Sequence, residues 1–515
     1  MDDPTALSDQ QLDAFLTDGY LTLKPSQLSV SDHERLYRRA VGLYDTARAL
    51  GSPTVHLDVL GDNLRAQIPE VEALLADPVI DGALTSILGS DYMIHPHSYC
   101  HRSGDEDQPF HQDGNLPWNE RGHYRSHRLD WAMLFYYPQA VDDRNGPTEI
   151  IPGTQYWTMD HETPDGAWNP GDRLDESLSE LNVPDLNSEH LHLPAGTAVL
   201  AHYDLVHRGT HTSATEPRFM YKFYFARVHS PERTGRDPQR LATVAKGPVR
   251  PVVVANQRWL SGLRFDDGRD FGRALGYGQL AKGLVDERED TRIATAYGLG
   301  RAAAGGDAQA LEALTEALHA PTESTRRAAS HGLRRAGRAG VPALLEGLRS
   351  ELATVRRPAA AGLGTLDAAA WPEATDALIS TLGADPDILV RSNAAYSLGQ
   401  IARSAEIDPA PVVDALLDRL APDAEPDNAF GASFSRSTVR QSAAYGLVQG
   451  LANHVLADEQ LEQIVAQLQI EPDRYVRGLL VEGLARAEHL PAATRRLFLG
   501  YLAGRRWNPA GEAKQ

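Results

Sequence analysis

At 515 residues the chain exceeds what one hydrophobic core supports, so two or three domains are expected. Its composition, 42% hydrophobic and 23% charged, is that of ordinary folded domains and excludes a collagen-like, coiled-coil or largely disordered chain. The net charge of -20, from 70 acidic and 50 basic residues, repels phosphate backbones and anionic lipid surfaces, which argues against nucleic-acid and membrane partners. The single cysteine, Cys100, excludes an intramolecular disulfide and a cysteine-based zinc site. The acidic, amphipathic start has no signal-peptide pattern and no apolar run reaches membrane-spanning length, so a cytoplasmic protein is expected.

In chain order, Ser8 with Gln11 three residues on reads as a helix start, and Asp18-Gly19 ends that helix before a short strand at Tyr20–Leu23. Helices are expected around 30–50 and 68–88. From Tyr92 the texture becomes short strands: Tyr92–His101, Asp130–Tyr137, Thr148–Ile151, Thr197–Tyr203 and Phe219–Arg227. The breakers between them include Asn145-Gly146, Pro152-Gly153 and Ala195-Gly196, which points to an antiparallel sandwich or barrel.

Beyond about residue 285 a different pattern recurs: TRIATAYGLG, TRRAASHGLR, VRRPAAAGLG, VRSNAAYSLG, VRQSAAYGLV and VRGLLVEGLA. Their arginines, Arg292, Arg326, Arg356, Arg391, Arg440 and Arg477, lie 34, 30, 35, 49 and 37 residues apart. Self-similarity at that period predicts a solenoid of helix pairs, with a loop inserted in the long interval and small residues that let the second helix of each pair pack closely. Residues 285–490 resemble the HEAT-like repeats, in the short form also seen in phycobiliprotein lyases.

The chemistry concentrates in Pro109-Phe-His111-Gln-Asp113-Gly114. His-x-Asp on an extended segment puts imidazole and carboxylate on one side, two of the three ligands of a 2-His-1-carboxylate site for non-haem Fe(II). His207 is the candidate third ligand, brought in by the strand after Pro194-Ala-Gly. Arg218, eleven residues later, opens the strand Arg-Phe-Met-Tyr-Lys-Phe-Tyr-Phe. There Phe219, Tyr221, Phe223 and Phe225 share one face and Arg218 points to the other, where a buried guanidinium suits a carboxylate. Of the competing histidines, His202-x-Asp204 with His229 and Arg240 leaves too short a stretch between its ligands for the intervening strands. His211 has Lys222 at the eleven-residue offset, a poorer carboxylate fork than Arg218. For His95, His97 and His101 surface or cavity-wall roles fit better.

These motifs, in order with NGPTEIIPGT (Asn145–Thr154) and the helix-Asp-Gly-Tyr-strand start, resemble the phytanoyl-CoA dioxygenase-like family of Fe(II)/2-oxoglutarate oxygenases over about residues 8–228. The resemblance implies a double-stranded β-helix (jelly-roll, cupin-like) with flanking helices over residues 1–240, a connecting segment at 241–284 and the all-α solenoid at 285–505, together a multidomain α+β chain. It places catalytic iron ligands on His111, Asp113 and His207, and the 2-oxoglutarate contact on Arg218, with O2 as the oxidant. Two departures are Thr154-Gln155, where the family often has Ser-His, and His211 or Thr212, where it often has Asn. Asp113 argues against halogenation, since halogenating relatives carry a small residue there.

The loop Asn115–Arg128 offers Trp118, Arg121 and Tyr124 as substrate contacts, beside Arg125 and Arg128. The acidic segment Tyr156–Glu189 would favour a cationic substrate if it overhung the site. The expected substrate is a small polar metabolite, such as an aminosugar-containing precursor oxidised or cyclised to an orthoester in antibiotic or other secondary-metabolite biosynthesis. The repeats are expected to buttress the catalytic domain or mediate self-association. The alternative is a non-catalytic scaffold whose repeats recruit a protein partner.

Overall fold

The computed structural model describes residues 5–51, 64–113, 126–158, 160, 162, 187–232, 250–263, 282–364, 366, 372–421, 425 and 437–504. The first helix, Asp9–Asp18, begins in a complete capping box between Ser8 and Gln11 and ends at Gly19 with φ 86°. Helices Val30–Ala49 and Pro78–Leu88 follow, each with an amphipathic pattern whose apolar side is buried.

Two antiparallel sheets are built from β1 (Tyr20–Leu23), β2 (Met93–Arg102), β3 (Trp131–Tyr137), β4 (Thr148–Ile150), β5 (Glu189–His190), β6 (Thr197–His202), β7 (His207–Gly209) and β8 (Phe219–Ala226). The larger runs β1-β6-β3-β8-β2 and the smaller β5-β4-β7. Alternation along β3 and β8 sorts the two faces. Leu134, Tyr136, Phe219, Tyr221, Phe223 and Phe225 pack against the N-terminal helices, whereas Met133, Phe135, Tyr137, Met220 and Tyr224 face the space between the sheets.

In the segment expected only to connect, Arg250–Leu260 forms a buried helix. Asn256 ties it to the β domain, accepting from Leu129 N and donating to His127 O, both at 2.8 Å.

The C-terminal helices stack as pairs, with the motif-bearing helices Glu289–Ala304, Glu323–Arg335, Ala353–Gly364, Ile388–Ile401, Thr438–Asn453 and Arg474–Arg486 laid on one another. The small motif residues make this possible: a Cβ on Gly399 would come within 2.7 Å of Gly446 Cα. The recurring arginine has a repeated task. Arg326, Arg356, Arg391 and Arg477 each donate to the carbonyls six and five residues back, closing the turn that enters the helix. Arg356, Arg391 and Arg440 also pair with Asp385, Glu425 and Glu471 of the next unit.

The solenoid is packed on the β domain. Asp130 meets Arg403 at 2.6 Å and Arg128 at 3.1 Å, all three buried. Tyr475 hydrogen-bonds His97, and its helix comes so close that a Cβ on Gly478 would lie 2.4 Å from Pro96. Of the acidic segment, Asp160 pairs with Arg327, and Glu162 with Arg326 and Arg357; these two carboxylates are taken up by the repeats. Among the described residues no helix is long and apolar enough to cross a membrane.

Candidate metal centre

After β2 the chain turns back so that His111 meets β7. His111 N donates to His207 O at 2.9 Å and His207 N to His111 O at 3.0 Å, one antiparallel bridge that sets two remote histidines side by side. Their ring centres are 4.5 Å apart. His111 Nδ1 lies 3.0 Å from Pro109 O, and His207 Nδ1 2.9 Å from Leu205 O. A carbonyl only accepts, so these contacts place the proton on Nδ1 and leave Nε2 as a lone-pair donor.

The next two residues are clamped as firmly. Gln112 donates to Trp157 O at 2.8 Å and Asp204 O at 2.7 Å, and Tyr203 OH donates to the Asp113 carbonyl. The ligand atoms of His111, Asp113 and His207 all lie within 4.8 Å of one another.

A fourth side chain enters this group. Lys222, on β8, lies 2.6 Å from Asp113 Oδ2 and 3.1 Å from His207 Nε2, with the rings of Phe135 and Tyr224 at 5.1 and 5.5 Å. Burial opposes the Asp113 charge, but Lys222, His207 and His111 hold its carboxyl well below the usual range. Burial, reinforced by Lys222, pushes His207 down to about 3, so its imidazole is neutral. Burial also lowers Lys222, against the pull of Asp113.

The arrangement fits a divalent metal. Asp113 Oδ2 is buried, with the Lys222 ammonium at 2.6 Å and His207 Nε2 at 3.6 Å as its close contacts. One carboxylate and two imidazoles on one side are a donor set for a first-row metal with open positions.

Beside this group is a cavity of about 130 Å³, lined among others by His101, Ser103, Thr148, Arg218, Met220 and Lys222. Arg218 is buried, and burial depresses its pKa. Its Nε donates to Gly146 O at 2.8 Å, and no carboxylate pairs with it among the described residues. Gly146 has φ 80°, and a Cβ there would lie 2.6 Å from Thr210 O, so the turn presenting that carbonyl requires glycine.

The other histidines go elsewhere. His202 stacks near Phe15 and takes a hydrogen bond from Asp204 N. His211 pairs with Asp107, and His229 with Asp91 and Asn453. His95 and His97 are buried where β2 meets the solenoid, while His101 lines the cavity. Thr154 and Gln155 anchor local backbone, Thr154 accepting from Val206 N and Gln155 donating to Leu16 O. Trp118, Arg121, Tyr124 and Arg240 lie outside the described residues.

Lys222 is the site residue that the sequence reading passed over. The signal was present: on β8 the phase that carries Arg218 inward also carries Met220, Lys222 and Tyr224. A second possible ligand group, Asp143, His190 and His192, sits exposed beside the smaller sheet.

Residues 3–220 match the phytanoyl-CoA dioxygenase family and residues 341–435 match HEAT repeats. An L-proline trans-4-hydroxylase of Streptomyces griseoviridis is 27% identical over 255 residues, 46% of this chain and 92% of that protein. Among solved structures, EctD from S. alaskensis with 2-oxoglutarate and 5-hydroxyectoine is 22% identical, with a TM-score of 0.35 over 44% of this chain and 78% of that one. HygX from Streptomyces hygroscopicus with nickel and 2-oxoglutarate is 16% identical, with a TM-score of 0.31 over 44% and 90%.

Proposed function

We propose that the phytanoyl-CoA dioxygenase family domain of this chain works as an Fe(II)- and 2-oxoglutarate-dependent oxygenase acting on a small polar metabolite. The observation that carries this reading is the convergence of His111, Asp113 and His207 beside a cavity lined by Arg218, a buried cation with no carboxylate partner among the described residues. The strand order of the two sheets supports a double-stranded β-helix, with the His111 segment as an added edge beside β7.

His111 and His207 would hold iron through Nε2 and Asp113 through a carboxylate oxygen. Bound iron supplies O2 activation, coupled to oxidative decarboxylation of 2-oxoglutarate to succinate and CO2 and oxidation of a substrate C–H. The protein's part is placement. Pro109 O and Leu205 O fix the imidazole orientations, Gln112 and Tyr203 hold the Asp113 backbone, and Arg218 binds the distal carboxylate of the cosubstrate.

A polar, amino-acid-sized substrate and hydroxylation rather than ring closure agree with the proline hydroxylase relative. Secondary-metabolite tailoring remains the proposed setting, in the cytoplasm. The pairing of Asp160 and Glu162 with repeat arginines removes part of the argument for a cationic aminosugar. Trp118, Arg121 and Tyr124 are retained as substrate contacts, and residues 1–240 and 285–505 as catalytic and buttressing units.

The test is anaerobic addition of Fe(II) and 2-oxoglutarate, followed optically, with wild type and His111→Ala. A weak visible charge-transfer band in wild type alone is expected. Its absence at saturation would move the non-catalytic scaffold forward, a reading favoured by the one observation that Lys222 already neutralises Asp113.

A further inference from the structure

Two cations share the inward phase of β8. Arg218 has a role in the reading above; Lys222 does not, and it sits where a metal would have to be. We infer that Lys222 is an internal stand-in for the metal, displaced on metal binding into the cosubstrate cavity, so that metal and dicarboxylate bind cooperatively. This rests on His111, Asp113 and His207 being the metal ligands.

The argument begins with lone pairs. The Lys222 ammonium is 2.6 Å from Asp113 Oδ2 and 3.1 Å from His207 Nε2. An ammonium has three donors and no acceptor, so it can serve both atoms at once. Neither atom can direct the same lone pair at a metal and at Nζ. A divalent ion arriving in a buried site also repels an adjacent ammonium, since little water is present to screen the two. Metal binding therefore requires Nζ to leave.

The surroundings limit where it can go. Phe135 and Tyr224 flank the side chain, and Lys222 lines the same cavity as Arg218. Once turned into that cavity, the ammonium would join a guanidinium that is itself buried without a carboxylate partner among the described residues. Two buried like charges with no counter-charge are unfavourable. A dicarboxylate restores neutrality, one carboxylate for Arg218 and one shared by Lys222 and the metal. In the metal-free protein, by contrast, Lys222 is committed to Asp113, and Arg218 is the one buried cation left to the cavity, the other charged lining residues, Arg102 and Glu106, being exposed. Linkage makes the effect reciprocal: whatever the metal adds to dicarboxylate affinity, the dicarboxylate adds to metal affinity.

The test uses the full chain under anaerobic conditions with Co(II) and glutarate, a dicarboxylate lacking the 2-oxo group that would chelate the metal. By calorimetry, Co(II) without dicarboxylate is expected to bind Lys222→Met about 10-fold tighter than wild type, the competing ammonium being gone. Co(II) is expected to tighten glutarate binding about 10-fold or more in wild type and under about 3-fold in Lys222→Met. Lys222→Gln, which keeps a neutral donor, is the second variant should Lys222→Met fold poorly, and the wild-type coupling needs no substitution. Equal Co(II) affinity in wild type and variants, or glutarate binding in wild type that ignores Co(II), overturns the inference while leaving the metal centre intact. Failure of every protein to bind Co(II) overturns it together with the metal centre.

Discussion

In the solenoid, Arg356 reaches Asp385, Arg391 reaches Glu425 and Arg440 reaches Glu471, each buried or half-buried guanidinium answered by a carboxylate of the next unit. In the β domain, Arg218 is as deeply buried and meets Gly146 O. The two regions thus spend the same side chain differently. A buried charge with its counter-charge in place belongs to the architecture. A buried charge held in a cavity without one is a site prepared for a ligand, and the protein carries its desolvation cost until that ligand arrives.

The largest expected effect breaks the paired side. Arg440→Ala leaves the buried Glu471 without its counter-charge, with the hydrogen bonds from Gln467 and Asp473 N remaining, and should cost about 3–5 kcal/mol in denaturant unfolding. The converse substitution sharpens the contrast by reversing the sign. Arg218→Met should stabilise the ligand-free protein by about 1–4 kcal/mol while abolishing 2-oxoglutarate binding, read by melting and calorimetry. A destabilised Arg218→Met would show that Arg218 is structural after all.

Buried imidazoles extend the comparison to neutral groups. Burial pushes His95 down to about 3, and burial, aided by Arg334 and other neighbouring cations, holds His127 and His331 well below their usual value. Unfolded histidines take up a proton near pH 6.5, so the unfolded state binds more protons below that value. The stability these groups contribute is therefore complete above pH 6.5 and is lost as pH falls below it, for His95 down to about 3. Urea midpoints should be flat above neutrality and decline below it. His331→Leu should remove about 1.4 kcal/mol per pH unit from that slope. The smallest effect is a control remote from both regions: Ser8→Ala, which loses the capping box, should cost about 0.5–1 kcal/mol.

Much of the site was legible because its chemistry is local in sequence or locked to strand phase. His111 and Asp113 are two residues apart, and His207 and Arg218 bracket one turn. The repeats were legible because an arginine followed six and seven residues later by Gly-Leu, or by Ser-Leu in the Arg391 unit, returns each time, a pattern set by close helix packing and the arginine-closed turn. Strand positions were found within a residue or two, as with Thr197–Tyr203 against the observed Thr197–His202. Lys222 escaped although it shares the inward phase of Arg218, because a lysine there says nothing of Asp113 until the fold brings the two together. The seam between the β domain and the solenoid escaped for a similar reason: Asp130 and Arg403 are 273 residues apart, and nothing local to either announces the other. The buried helix Arg250–Leu260 was missed as well, its surroundings being what makes it a core element.

That seam has a consequence for how the protein is made. The inner strands β2 and β3 leave the ribosome long before the helices that cover them; Trp131 packs against Tyr445, and His97 against Tyr475. At about 5–20 residues per second, the 378 residues separating His97 from Tyr475 correspond to roughly 20–75 s of synthesis. For that interval the nascent β domain has an uncovered aromatic end, and Asp130 lacks its Arg403 partner. A chain cut short within the repeats would keep that surface exposed, so truncated products are expected to be chaperone clients or aggregates rather than small working oxygenases.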